Sequence, residues 1–390
     1  MGNTMPSAVI IDTARTPIGR AYKGSLVDIR ADDLAGLGIK ALIDKVPGLD
    51  PETVDDVMMG CALTHHEQGF NIGRIAALLG GLPDKVPGTT INRFCASSLQ
   101  TIRMAFHAIK AGEGHTYIAA GVESISRTMG KGFASEDINP RFADESRPDF
   151  INHVYIPMGM TAENVAEQYG ITRERMDEFA KRSQDLAVEA QKNGFFEREI
   201  TPVVLPDGRV AAADDGPRPN TTLEKLASLE AAFKPGGKVT AGNSCPLNDG
   251  AAAVLVMEES KANSLGLTPR ARIVASAVSA LAPEIMGVGP IDAVRRALAL
   301  AGMSLSDIDV IELNEAFAAQ VLAVVDNLGI DLEKLNPHGG AIALGHPFGM
   351  TGARIMTTLL NDLETLDRSL GMETMCVGGG QGMAMIIERI

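Results

Sequence analysis

Apolar and polar positions along the chain switch between a helical and a strand period, and the order of the switches repeats near the two ends. Residues 38–61, GIKALIDKVPGLDPETVDDVMMGC, predict an amphipathic helix, a polar turn, an acidic pair and a strand beginning at Asp56-Val57. Residues 289–314, GPIDAVRRALALAGMSLSDIDVIELN, predict the same succession, with the strand beginning at Asp309-Val310. IAAGVES from Ile118 and MCVGGGQ from Met375 form a second echo, two short apolar strands running into glycine. The offsets between partners are 253 and 257, so the register barely drifts. The pattern predicts two related α/β halves, residues 1–125 with 250–270 and residues 271–390.

Across residues 126–249 the echo disappears. MGMTAENVAEQYGITRERMDEFAKRSQDLAVEAQKNG predicts two helices joined at Gly170, with Thr172 capping the second. The Pro-, Gly- and Asp-rich stretch from Pro202 to Pro219 predicts loop. An insertion from the first half accounts for the segment, with the expected task of covering an active site or holding a ligand.

Composition narrows the function classes. At 390 residues, 45% hydrophobic, the chain exceeds one small core and predicts two or three packed units. A formal charge of −14 argues against a nucleic-acid partner, which clustered Lys and Arg would attract. An anionic substrate must therefore find a local positive or dipolar pocket. The opening MGNTMPSAVIIDTARTPIG has no basic leader before an apolar run, so no signal peptide is expected, and Pro6 stands where a myristoylation start wants Ser or Thr. No apolar stretch is long enough to predict membrane insertion. Without secretion the Asn220-Thr221-Thr222 sequon carries no meaning. Cysteines 61, 95, 245 and 376 are widely spaced with no CxxC pair. Neither a disulfide framework nor a zinc site is expected, and a reducing cytoplasmic compartment is. The plain reading of each is an inert buried thiol.

Four segments carry possible chemistry. In NRFCASSLQTIRMAFHAIKAG, Leu99, Ile102, Met104, Phe106 and Ile109 form an apolar helical stripe, and Cys95 stands at its start. A helix N-terminus stabilises thiolate and lowers a thiol pKa, as a nucleophile requires. This segment alone favours simple packing. NPHGGAIALGHPFGMTGAR puts His346 in a Gly-rich turn, with Thr351 opening a helix; an imidazole there can take a proton or donate to an oxyanion. His338 competes for that part, or serves as a structural hydrogen-bonding residue. In IELNEAFAAQ a strand ends at Asn314-Glu315, where α/β proteins gather their sites, although Asn314 also suits a helix N-cap. In TMCVGGGQGMAMII, Cys376 ends a strand before Gly378, Gly379 and Gly380, without the spacing or following helix of a dinucleotide loop.

Together these segments resemble the thiolase family along essentially the whole chain. The family's signatures are a Cys-x-Ser nucleophile block, Asn-Glu-Ala-Phe, Gly-His-Pro and Cys-x-Gly. They match Cys95-Ala96-Ser97, Asn314 to Phe317, Gly345-His346-Pro347 and Cys376-Val377-Gly378, in the family's order. The resemblance implies the thiolase fold, two α/β halves in a layered αβαβα core with an inserted loop domain. It also implies reversible CoA-dependent cleavage of a 3-oxoacyl-CoA to acetyl-CoA and a shortened acyl-CoA, by ping-pong chemistry. Cys95 would carry the acyl group, His346 would activate it and help bind an oxyanion, and Cys376 would be the acid/base. Asn314 would hold a water in one oxyanion hole, and the backbone N–H groups of Cys95 and Gly378 would form the other. No metal or organic cofactor is implied, with coenzyme A as substrate and product.

The resemblance also implies coenzyme A contacts at Met158, Arg218, Phe233, Ala241, Cys245 and Phe317. Two positions depart from the family: Cys245, followed by Pro246, stands where a pantetheine-contacting Ser is usual, and Lys225 replaces another serine. The motifs are closer in flavour to degradative 3-ketoacyl-CoA thiolases of fatty-acid β-oxidation than to acetoacetyl-CoA-specific acetyltransferases. A homodimer or homotetramer is implied, and a hydratase–dehydrogenase partner is left open. The rivals are a ketoacyl synthase, which generally uses Cys with two His, a catalytically silent binding subunit, and a Cys/His metal module, which lacks ligand spacing here.

Overall fold

The computed structural model describes residues 6–144, 146 and 153–390. The first half contributes β1 (Ala8–Arg15), β2 (Gly19–Arg20), β3 (Asp56–Gly60), β4 (Gly88–Ile91) and β5 (Thr116–Ser124). Its helices are α1 (Ala31–Lys45), α2 (Ile72–Leu79), α3 (Ser97–Ala111) and the single turn α4 (Ile125–Thr128). The insertion holds α5 (Met158–Gln168), α6 (Arg173–Lys192), β6 (Val203–Val204), β7 (Val210–Ala211) and α7 (Leu223–Ala227). The chain returns through β8 (Asn248–Glu258) and α8 (Glu259–Ser264) to β9 (Ala271–Ala280), α9 (Gly289–Ala301), β10 (Val310–Leu313) and α10 (Ala318–Leu328). It closes with α11 (Ala341–Leu344), α12 (Thr351–Thr365), β11 (Leu370–Val377) and β12 (Gln381–Arg389).

The repeat in the hydrophobic pattern is a repeat in strand pairing. In the first half β3 runs parallel to β5, which pairs antiparallel with β8, which pairs antiparallel with β1. In the second half β10, β11, β12 and β9 follow in the same order with the same directions. The two sets meet edge to edge through only Val9–Arg272 and Ile10–Ala271 of β1 and β9, and β4 extends the first set outward.

Alternation along the strands assigns the layers. Ala8 and Ile10 of β1 and Ala252, Val254 and Val256 of β8 face a central core shared with α3 and α12. Their neighbours Val9, Ala251, Ala253 and Leu255 face an outer core with α1 and α2. Ala384 and Ile386 of β12 face the opposite outer core, with α9 and α10. The result is five layers, αβαβα, with the pair α3/α12 at the centre.

The insertion has the expected two helices, separated at Gly170, and the Thr172 hydroxyl accepts the Arg175 N–H at the start of α6. Although it leaves the first half, Val165, Met176 and Phe179 pack into the outer core of the second. The stretch from Pro202 to Pro219 is not loop throughout. β6 and β7 pair there, because Val203, Leu205 and Ala211 find an apolar surface in the α1/α2 core.

One buried cation ties the insertion to β1. Arg15 is fully buried, its Nε 2.8 Å from Glu199 and its guanidinium bidentate on Asp214 at 2.8 and 3.0 Å. Asp214 also accepts the Ile18 N–H, and Glu199 the Asn361 amide. The two carboxylates hold the Arg15 pKa above its ordinary value despite burial. Removing the cation would strand two buried anions, a change that typically costs about 3–5 kcal/mol. Arg15→Met is therefore expected to lower the urea unfolding midpoint markedly, and a midpoint within error of wild type would refute the anchoring part given to Arg15.

Candidate active site

Cys95 lies in the turn of 3-10 helix Phe94–Ala96 that leads into α3. Leu99, Ile102 and Ile109 of that helix are wholly buried, each contributing about 1.5–3 kcal/mol, so the turn rests on a fixed platform. Phe94 sits at φ +43°, which bulky side chains rarely adopt. Its N–H donates to Asn92 Oδ1 at 2.9 Å, and its carbonyl accepts the Ser97 hydroxyl at 2.6 Å. The dipole argument predicts an acidified thiol, and the structure reverses its sign. Burial pushes the Cys95 thiol up to about 11, over the opposing pull of the Gly378 N–H and its own N–H, and the Glu123 carboxylate adds to the rise. The residue keeps some exposed surface, but protein surrounds the sulfur.

His346 enters from the second half. Gly345, at φ +114°, turns the chain so closely over Asn248 that a Cβ there would lie 2.5 Å from the amide. Asn248 Oδ1 in turn accepts the His346 N–H at 3.0 Å. His346 Nδ1 is 2.6 Å from Thr351 Oγ1, and the Thr351 hydroxyl donates to the Pro347 carbonyl at 2.9 Å. That hydroxyl therefore accepts from Nδ1–H, and Nε2 keeps its lone pair. Asn314 Nδ2 approaches Nε2 at 3.4 Å. Burial, helped by the Arg354 charge, pushes His346 down to about 3, so the imidazole is neutral at physiological pH. Asn314 is not a helix cap, since Phe317 occupies that position of α10. Its Oδ1 is buried with no hydrogen-bond partner among the described residues.

Cys376 is the penultimate residue of β11, and a glycine turn leads straight into β12 rather than into a helix, which removes the dinucleotide-loop reading. Burial raises its thiol well above the usual value, and the neighbouring Cys95 and Cys245 raise it further. Cys376 packs with Phe317, with Met158 and Cys245 against them. A Cβ on Gly378 would stand 3.5 Å from the Phe94 ring and 3.7 Å from Met158 Sδ. The Cys245 N–H donates to the Ala316 carbonyl at 3.0 Å, and burial raises its thiol too. Phe233 stands edge-on to Phe317 at 6.1 Å.

Arg218 and Ala241 belong to the insertion's outer surface. Ala241 and Arg218 are exposed; the Arg218 backbone N–H donates to Gln184 Oε1, and its guanidinium has no carboxylate partner among the described residues. Lys225 is exposed and donates to the Asn220 carbonyl. His338 stands in a different cluster, 2.6 Å from Asp362 and stacked on Phe195.

Two supporting residues escape motif reading. Asn248 has a local signal, the Asn-Asp-Gly run before an apolar strand, but nothing in it points to His346. Glu123 has none. Its buried carboxylate accepts the N–H groups of Ala62, Leu63 and Gly349 and the Gln68 amide, at 3.0, 3.2, 2.9 and 2.5 Å. It thereby ties the His346 loop to the first half.

Comparison with known proteins identifies the family. Family models described as "Thiolase, N-terminal domain" and "Thiolase, C-terminal domain" match residues 8–260 and 267–389. The chain is 48% identical over 402 residues to the Beta-ketoadipyl-CoA thiolase of Acinetobacter baylyi, covering 99% of this chain and 100% of that one. It is 47% identical over 395 residues to the 3-ketoacyl-CoA thiolase of Shewanella frigidimarina, with the same coverage. The solved structure of the Bacillus anthracis acetyl-CoA acetyltransferase superposes with a TM-score of 0.91 at 41% identity, covering all of both chains. Two family models that together span almost the whole chain, and relatives nearly half identical over their full length, settle the family: the chain is an acyltransferase that belongs to the thiolase family.

Proposed function

We propose that this chain catalyses thiolytic cleavage of 3-oxoacyl-CoA, with Cys95 as the acyl carrier. The observation that carries the reading is the convergence of Cys95, Cys376 and the Gly378 N–H on one point, with a neutral His346–Asn314 pair supplied by the same half as Cys376.

The protonation states fit the reaction. In the resting site Cys95 is a thiol and His346 a neutral base, so a proton moves from sulfur to Nε2 only as a carbonyl is attacked. The new imidazolium and the Asn314 amide, through a water, stabilise one oxyanion; the Cys95 and Gly378 N–H groups stabilise the other. Cleavage of the C2–C3 bond leaves the enolate of acetyl-CoA, which Cys376 protonates. Cys376 thiolate then takes the proton of incoming CoA, whose sulfur attacks the acyl-Cys95. A thiol with a raised pKa suits that task, since its thiolate is the stronger base. CoA enters as substrate and leaves as product, without a separate cofactor. Met158, Phe233, Cys245 and Phe317 would flank pantetheine, and the unpaired Arg218 guanidinium and Ala241 would meet the nucleotide end.

For the acyl group we propose a chain longer than acetoacetyl, with a 3-oxoadipyl thioester as the favoured substrate. Relatives named for beta-ketoadipyl-CoA support this over the fatty acyl chain that the motifs suggest. The exposed edge of β4, near a 95% exposed Phe70, supports a homo-oligomer, and four free cysteines support a reducing cytoplasmic setting.

Thiolysis rates on 3-oxoadipyl-CoA, 3-oxohexanoyl-CoA and acetoacetyl-CoA test the substrate. Specific recognition of the terminal carboxylate is expected to give the first about a tenfold advantage in kcat/KM, equivalent to about 1.4 kcal/mol. Activity on acetoacetyl-CoA alone would reverse the assignment. Cys376→Ser should still take up acetyl at Cys95 by intact mass while condensation collapses, and equal loss of both would contradict the division of labour. Because His346 titrates near 3, thiolysis should show no acid limb from loss of this base between pH 8 and 5, and free-enzyme alkylation of Cys95 should keep rising toward pH 11. An alkylation plateau near pH 7 would refute the neutral resting pair.

A further inference from the structure

The Cys95 and Gly378 turns come from different halves, yet their N–H groups must aim at one oxygen. A continuous hydrogen-bonded path joins them. Arg93, two residues before the nucleophile, donates through Nη1 to Gln381 Oε1 at 2.9 Å. Gln381, at the start of β12, donates through Nε2 to the Gly378 carbonyl at 3.2 Å. Arg93 Nε reaches back to Gln100 Oε1 on α3 at 3.0 Å, which fixes the guanidinium to the helix behind Cys95. The Gln381 backbone is itself fixed, paired with Val377 across the hairpin and with Ala280 of β9. Gly378 has little else to hold it. It opens a turn whose next two residues, Gly379 and Gly380, lie at φ +76° and +80°, where the backbone is freest to shift.

We infer that Arg93 and Gln381 are positioning residues for the second oxyanion hole, locking the Gly378 turn in register with the Cys95 turn. The inference rests on the proposed thiolase reading. Gln381 is suited to the position because it is both acceptor and donor: one end of the amide takes the guanidinium, the other gives to the carbonyl. A carboxylate could do only the first, and an apolar side chain neither.

The test is steady-state kinetics with a second readout that needs no turnover, the rate of Cys95 alkylation by iodoacetamide at pH 8. The Gly378 N–H stabilises the Cys95 thiolate, so a displaced turn slows alkylation. Gln381→Leu is expected to lower kcat by about 10–100-fold, leave KM within about twofold, and slow alkylation by about fivefold. Gln381→Glu keeps the Arg93 contact but cannot donate to Gly378, and should match Gln381→Leu. Arg93→Met should give a smaller loss of the same kind, and Arg93→Met/Gln381→Leu no more than Gln381→Leu alone. Wild-type kcat and alkylation in Gln381→Glu, or a double variant whose loss is the product of the singles, would overturn the inference. Unchanged thermal melting in each variant separates positioning from unfolding. If Gln381→Leu does not fold, Gln381→Glu and Arg93→Met decide the matter by the same criteria. A wild-type chain without thiolysis would refute the proposed function and leave alkylation to judge this network.

Discussion

The candidate active site depends on how closely the His346 loop approaches the first half. A Cβ on Gly349 would stand 2.2 Å from the Val122 carbonyl oxygen and 2.7 Å from that of Gly60, so backbone meets backbone there. Glu123 fastens that contact by accepting the Gly349 N–H, and the Ser98 hydroxyl accepts the Ala353 N–H. With this seam closed, α3 and α12 pack side by side, and the residues at their N-terminal ends, Cys95 and His346 with Thr351, are brought to the same end of the central layer. A one-ångström widening would cost the site its geometry long before it cost the fold its stability.

The sheets themselves are joined weakly, through two residue pairs between β1 and β9. Rigidity between the halves comes instead from the central helices and from buried polar groups. Glu199, bound to Arg15 of the first half, also accepts the Asn361 amide of the second, and within the second half Arg354 faces Glu312 at 3.8 Å. Glu312, Glu373 and Asp362 are buried around that guanidinium, with His338 beside Asp362, and burial raises the pKa of each well above its ordinary value.

How much could be read from the chain follows from the range of each interaction. The two halves were legible because strand and helix periods are local, and the paired segments fall on β3 and β10, β5 and β11 with matching strand directions. Cys95, His346, Asn314 and Cys376 were legible as motifs only in combination. The Glu123–Gly349 bond spans 226 residues and the Arg93–Gln381 bond 288, so no window on the sequence contains either. The direction of the Cys95 shift was misread for a related reason. A dipole is a property of the adjacent helix, whereas desolvation is supplied by groups distant in sequence, and in this site desolvation dominates. The β6–β7 hairpin was hidden likewise, since its apolar partner surface belongs to α1 and α2.

The neutral state of Cys95 and His346 bears on the lifetime of the protein as much as on its rate. Peroxide and electrophilic metabolites attack thiolate far more readily than thiol. A Cys95 thiol held at about 11 offers them little thiolate. In the proposed reaction its reactivity is latent, called up by a substrate carbonyl beside His346 Nε2 and withdrawn when the acyl group leaves. Three neighbouring thiols, Cys95, Cys245 and Cys376, can therefore lie side by side without readily crosslinking.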